Sequence, residues 1–283
     1  MSSPADLASG KGHSDENFPV ASWLVRPDAR GPVMAYYAFA RMADDIADHE
    51  TALADEKLRL LGAMRAGLEG DDPDEAPKES VALARVARAR GLDLVHARDL
   101  IAAFEQDCVQ NRYADWDELI GYCRYSAMPV GRFVLDVHGE DRALWPMNDA
   151  LCAALQIINH LQDCGKDYRA LDRVYVPADA MAARGVAIGE LGGARSSPAL
   201  RAVIRELAER TLGLLDEAAP FARGIRDFRL SAEVAVIQRL AVDLAKGLMR
   251  RDPLADRVHH GKGRAGALAL GALLRHGLAR IVR

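Results

Sequence analysis

Residues 156–167 read Gln-Ile-Ile-Asn-His-Leu-Gln-Asp-Cys-Gly-Lys-Asp, and the alternation of polar and apolar positions in that run decides the fold. Gln156, Asn159, Asp163 and Asp167 recur at i, i+3, i+7 and i+11. That spacing puts four oxygen-bearing side chains on one helix face. Ile157, Ile158 and Leu161 between them are apolar. A polar stripe on an apolar helix must face water, a cavity or a ligand, because burying it unpaired is costly. A second run, Asp44-Asp45-Ile46-Ala47-Asp48, repeats the logic in the first half of the chain. Asp44 and Asp48 are one turn apart and share a face, close enough to hold one hard cation. Arg41 lies one turn before Asp45, and Tyr37 one turn further back.

The helical period extends outward from both runs. Val33, Tyr36, Tyr37, Ala40 and Ile46 keep it, as do Leu58, Leu61, Met64 and Leu68, and Leu200, Val203, Ile204, Leu207, Leu212 and Leu215. No regular series of alternating strand segments appears. The predicted fold class is all-α, a single-domain helical bundle with a central cavity. Composition predicts breaks at 70–77, at 145–149, where two helices are expected to be separated, and at 184–198. None resembles a long linker, so one domain is expected over 17–258. A flexible 1–16 precedes it, and a basic amphipathic tail, 259–283, follows. From Gly261 the tail carries Lys262, Arg264, Arg275, Arg280 and Arg283 and no acid. That composition suits peripheral contact with an anionic membrane surface. The competing reading is a frayed terminus, because its glycines weaken a helix.

Bulk properties exclude several classes. The chain has 283 residues, near the upper limit for one core. A formal net charge of -4 argues against a nucleic-acid partner. Cys108, Cys123, Cys152 and Cys164 form no Cys-x-x-Cys pair, and residues 1–16 lack the apolar core of a signal peptide. Four reduced thiols and a cytoplasmic location follow as expectations, with the inner membrane face as the place of any peripheral contact. No apolar run is long enough to span a bilayer.

The chemistry that wants two acidic stripes is diphosphate departure. Mg²⁺ takes oxygen ligands, keeps several waters and bridges to substrate phosphates. Facing stripes would grip a diphosphate through Mg²⁺ and neutralise the charge that builds as its C–O bond ionises. A single Asp-x-x-x-Asp is usually a solvated face. Two of them, each on an apolar helix and backed by Arg41 or by Gln156 and Asn159, weigh against that. A di-iron bundle would need Glu-x-x-His, which the chain lacks. Residues 261–266 fit Gly-x-Gly-x-x-Gly, but no strand is expected before them and no acidic ribose ligand can follow. No nicotinamide cofactor is therefore expected. His160 reads as a packed histidine before a proton shuttle, and His259-His260 as a solvated turn. Asp107, Arg112 and Tyr113 fit either a cavity wall or a helix-end ion pair.

Three motifs together resemble the squalene/phytoene synthase family. They are residues 36–48, residues 156–167 followed by Arg173-Val174-Tyr175-Val176-Pro177, and Tyr122-Cys123-Arg124-Tyr125-Ser126-Ala127-Met128-Pro129-Val130-Gly131 between them. The resemblance runs over about residues 17–258. It implies the isoprenoid-synthase fold, a prenyl-diphosphate substrate and Mg²⁺. Residues 16–22, the Ser-Ala-Met-Pro-Val-Gly run and Asn159-His160-Leu161-Gln162-Asp163 look like the branch that converts presqualene diphosphate and water to hydroxysqualene and diphosphate, a carbon–oxygen lyase step in squalene and hopanoid formation. By motif position Asp44, Asp45, Asp48, Asn159 and Asp163 would bind metal. Asp44, Asp48, Asp163 and Asp167 would be the catalytic acids. Asn17, Ser22, Tyr37, Arg41, Gln156 and Asn159 would hold substrate.

Two departures bear on the activity. Many relatives carry Val-Ala-Gly where Ser126-Ala127-Met128 stands here, and many carry Arg in place of Gln162. The missing cation would weaken a second diphosphate site, which a condensing enzyme needs and an enzyme acting on one preformed diphosphate does not. Ser126 is proposed to position the capturing water; the alternative is a serine bonded back to its own turn. Two other readings stay open. One is a head-to-head prenyl transferase making presqualene diphosphate or phytoene. The other is a catalytically silent relative acting as an assembly partner. Neighbouring squalene-pathway enzymes are candidate partners under any of them.

Overall fold

A computed structural model describes residues 25–70 and 76–281, with side chains through Ala279. Asn17, Ser22 and the whole of 1–16 lie outside the described residues, as do positions 71–75 of the 70–77 break. The described residues are all-α, as the periodicity predicts, with one isolated β-bridge between Arg112 and Val174. Their contacts cluster into two compact units, Met1–Gln110 with Pro129–Glu140, and Asn111–Met128 with Asp141–Arg283.

The first unit contains α1 (Pro27–Ala47), α2 (Ala54–Glu69), α3 (Lys78–Arg90), α4 (Val95–Asp107) and nearly all of α6 (Met128–His138). Pro27 opens α1, where its missing N–H is no loss. Pro32 sits one turn inside and cannot donate to the carbonyl of Asp28. The Arg90 guanidinium of α3 donates to that carbonyl instead. The apolar stripe of α1 is buried, with Phe39 and Ile46 fully enclosed against Leu60, Leu61, Met64 and Ile101. Burying each large side chain contributes about 1.5–3 kcal/mol. Tyr36 stacks on Phe133 of α6 at 4.2 Å, and its hydroxyl donates to the His96 carbonyl at 3.0 Å. These contacts fix the rotation of α1, and with it the direction in which the first acidic cluster points.

The second unit holds α5 (Trp116–Ser126), α7 (Trp145–Leu171), α8 (Ala178–Ala182), α9 (Pro198–Glu217), α10 (Phe221–Gly224), α11 (Phe228–Arg250) and α12 (Lys262–Ile281). Asp115, Ser197 and Asp227 cap the starts of α5, α9 and α11 through their side chains. The break expected at 145–149 is not there. Trp145-Pro146 forms the first turn of α7, a position that tolerates proline, and the chain before it makes a short 3₁₀ turn at Arg142–Leu144. Within the tail, α12 is helical from Lys262 to Ile281 and packs along α11. No helix among the described residues is long and apolar enough to cross a membrane.

Candidate active site

The first cluster closes α1. Arg41 reaches Asp44 at 3.1 Å and Asp45 at 3.4 Å. The Asp45 side chain is only 8% exposed, whereas that of Asp44 is 36% exposed and Asp48 is exposed. Asp48 stands just past the last turn, and its N–H donates to the Asp44 carbonyl at 2.8 Å. The helix end therefore places its three acids differently. Asp45 is the buried partner of Arg41, Asp44 pairs with Arg41 from a part-exposed position, and Asp48 is exposed. Tyr37, one turn before Arg41, is half-buried.

On α7 the polar stripe lies where the spacing puts it. Gln156, Asn159, Asp163 and Asp167 are all partly exposed, while Ile157, Ile158 and Leu161 are buried. Gln162, next to Asp163, is buried instead. Its side-chain amide donates to the carbonyl of Val258, in the segment after α11. Position 162 is thus occupied by a neutral group already engaged with backbone.

Both clusters offer oxygen donors, the set that Mg²⁺ prefers. Among the described residues no three His, Cys, Asp or Glu side chains make a ready-made metal cage. Mg²⁺ needs none, since one or two carboxylates and substrate phosphates commonly complete its shell.

Beside the α7 stripe stands an aromatic cluster. The extended segment after α7 pairs with 111–114, with the Val174 N–H donating to the Asn111 carbonyl at 2.9 Å. Asp172 starts it in a left-handed conformation, φ 51°, and its carboxylate pairs with Arg112 at 2.6 Å. Arg112 is therefore a helix-end ion pair. This pairing brings Tyr113 onto Tyr175 at 5.4 Å, and Tyr122 of α5 within 5.4 Å of Tyr175. His160 stacks on Tyr175 at 3.5 Å. Burial, with a smaller push from Arg173, drives the His160 imidazole down to about 3, so the packed histidine is neutral. One turn beyond Tyr122, the Ser126 hydroxyl is buried and makes no hydrogen bond among the described residues. It is not bonded back to its own turn.

Sequence reading missed two features. A cavity of about 300 Å³ lies against Gln162, Asp163, Lys166, Arg169, Arg257 and His259. His259-His260 is no solvated turn: His259 lines that cavity, and His260 meets Asp243 of α11 at 3.0 Å. The partner acids lie far away in sequence, so no local signal could show this. The four cysteines form no disulfide. Burial raises the Cys123 and Cys164 thiols to about 12, which leaves them unreactive.

A helical fold with an acidic stripe and an aromatic cluster defines a class, and comparison with known proteins gives its family. The squalene/phytoene synthase family profile matches residues 11–264. The chain belongs to the squalene/phytoene synthase family. It is 53% identical to the hydroxysqualene synthase of Zymomonas mobilis over 95% of this chain and 90% of that one. It is also 53% identical to the hydroxysqualene synthase of Rhodopseudomonas palustris, over 92% and 88%. Among solved structures it resembles the squalene synthase HpnC of Alicyclobacillus acidocaldarius, with 29% identity and TM-score 0.72 over 87% of this chain and 92% of that one. A dehydrosqualene synthase, 22% identical with TM-score 0.77 over 96% and 95%, shares the fold. The all-α isoprenoid-synthase fold is thereby established, and the chain is an enzyme of a family acting on prenyl diphosphates.

Proposed function

We propose that the chain is a hydroxysqualene synthase, converting presqualene diphosphate and water to hydroxysqualene and diphosphate. The observation that carries this reading is Gln162, a buried neutral side chain beside Asp163 whose amide is engaged by Val258. The relatives named for that reaction support it.

Residues 17–258 would act as one catalytic domain. Asp44, Asp48, Asn159 and Asp163 would hold Mg²⁺, with Asp167 extending the stripe and Asp45 fixing Arg41. When bound, Mg²⁺ supplies neutralisation of the charge that develops on the leaving diphosphate. Arg41, Tyr37 and Gln156 orient that diphosphate, together with Asn17 and Ser22. The C–O bond breaks and its electron pair leaves with the diphosphate. The aromatic faces beside the α7 stripe stabilise the carbocation by about 0.5–2 kcal/mol per contact. Ser126, whose buried hydroxyl makes no hydrogen bond among the described residues, positions the water. The water oxygen forms the new C–O bond and sheds one proton.

The apolar product passes to neighbouring squalene-pathway enzymes, and α12 makes peripheral membrane contact on the inner face. Purified protein incubated with Mg²⁺ and either presqualene diphosphate or farnesyl diphosphate tests the assignment. Hydroxysqualene from presqualene diphosphate is expected. Consumption of farnesyl diphosphate alone would assign the chain to the condensing enzymes, and turnover of neither to the silent relatives.

A further inference from the structure

One side of α12 is anchored. Ala272 and His276 are buried, and His276 Nε2 meets Ser231 Oγ of α11 at 2.8 Å. At its start, Arg264 chelates Asp243 at 2.6 and 2.8 Å. The other side is bare. Leu270, Leu274 and Leu278, at i, i+4 and i+8, are 60%, 60% and 64% exposed. Gly263, Gly266 and Ala267 continue this exposed apolar strip toward the helix start. No acid occurs anywhere in α12. An exposed apolar strip on a helix whose charged residues are all cations suits the plane of an anionic interface.

Beside this strip lies a cavity of about 260 Å³ that α10, α11 and α12 line together. Arg223, Arg239 and Arg275 come from the three helices in turn, and no carboxylate lines it. None of the three makes an ion pair among the described residues. The Arg239 Nε is buried without a hydrogen-bond partner. Arg275 uses its Nε on the Gly271 carbonyl at 3.2 Å. A buried guanidinium N–H with no acceptor is costly, and an anion in the cavity would relieve that cost. Guanidinium groups match phosphate oxygens in pairs. Arg275 also stands one turn before Leu278, so the cavity opens on the flank of the leucine strip.

We propose that α12 docks on an anionic bilayer, with Leu270, Leu274 and Leu278 in the acyl boundary and the Arg223–Arg239–Arg275 cavity holding the phosphate of an anionic phospholipid. The proposal rests on the peripheral-contact reading above and is independent of the catalytic one. It adds to that reading a defined headgroup site.

Flotation of the full chain with vesicles of phosphatidylcholine, or of phosphatidylcholine mixed with phosphatidylglycerol, tests it without any substrate. Binding to the mixed vesicles is expected to exceed that to the neutral ones by about tenfold or more. Arg239→Gln and Arg275→Gln should each lower it about fivefold. Arg205→Gln, an equal loss of charge at an exposed position of α9, should leave it unchanged. Leu270→Ser/Leu274→Ser/Leu278→Ser should abolish it, with circular dichroism unchanged because all three side chains are exposed. If the leucine variant loses binding and the arginine variants match Arg205→Gln, contact survives and the headgroup site is refuted. Equal binding to both vesicles refutes the site too. Tight binding of inorganic phosphate without vesicles would make it a free-anion site and overturn the lipid assignment. A dimer that the leucine variant dissociates in light scattering would make the strip a self-contact and overturn the docking.

Discussion

The family resemblance gives Asp45 and Asp48 the same expected role as metal ligands, but their surroundings differ. Asp45 is buried beside Arg41, and Asp48 is exposed beyond the helix end. Asp45→Asn should therefore cost about 1–3 kcal/mol of stability, because it weakens the pairing of a largely buried guanidinium. Asp48→Asn should leave the thermal midpoint within about 2 °C, a change of less than ~0.5 kcal/mol at an exposed site. Turnover should nevertheless fall by about a hundredfold or more, the effect of losing roughly 3 kcal/mol of transition-state stabilisation. Thermal melts beside steady-state rates check both. A fall in stability with Asp48→Asn and none with Asp45→Asn would reverse the assignment. Gln162 gives a second residue-scale prediction. Gln162→Leu keeps the burial but strips the Val258 carbonyl of its donor. Denaturant midpoints should register a loss of about 1–3 kcal/mol.

At the scale of elements, the helix period was legible wherever an apolar stripe meets a packed neighbour. The α1 and α7 stripes came through because their spacing alone sets the face. Two element-level readings failed for one reason, that a residue's meaning changes with its partner. Trp145-Pro146 looked like a break, but proline is at home in a first turn. His259-His260 looked solvated, but Asp243, which holds His260 and Arg264, is supplied by α11. That acid also sets a pH dependence. Hydrogen bonding from Arg264, then from His260, draws Asp243 down to about 2. A carboxylate depressed in the folded state stabilises the fold above its ordinary value near 3.9, and that contribution fades as pH falls toward about 2. Asp243→Asn should thus lower stability by about 1 kcal/mol at neutral pH. The gap to the unmodified protein should close between about pH 4 and pH 2. Hydrogen exchange along α12 would read the loosening directly. A gap that persists at low pH would refute the ion-pair account.

Across the whole molecule, the sequence announced an all-α enzyme and both acidic clusters, but not how contacts divide the chain. Two units, each carrying one cluster, emerge only from long-range packing such as Tyr36 on Phe133 or His160 on Tyr175. The aromatic cluster was invisible for the same reason. Its members Tyr113, Tyr122, His160 and Tyr175 are scattered along the chain, and the pairing of 111–114 with the segment after α7, with α5 packed on α7, draws them together. Charge is distributed as unevenly as chemistry. The chain is net acidic, yet α12 carries cations alone. The carboxylate-rich clusters on α1 and α7 thus stand apart in sequence from a helix whose charged residues are all cations.

Capture of the carbocation by water is the step that distinguishes the proposed reaction from condensation or simple hydrolysis. Turnover of presqualene diphosphate with Mg²⁺ in heavy-oxygen water tests it most directly. Ionisation at carbon followed by capture predicts hydroxysqualene carrying the heavy oxygen on carbon, with unlabelled diphosphate released. Label in the released phosphate and none in the lipid, or a lipid product with no hydroxyl, would contradict it.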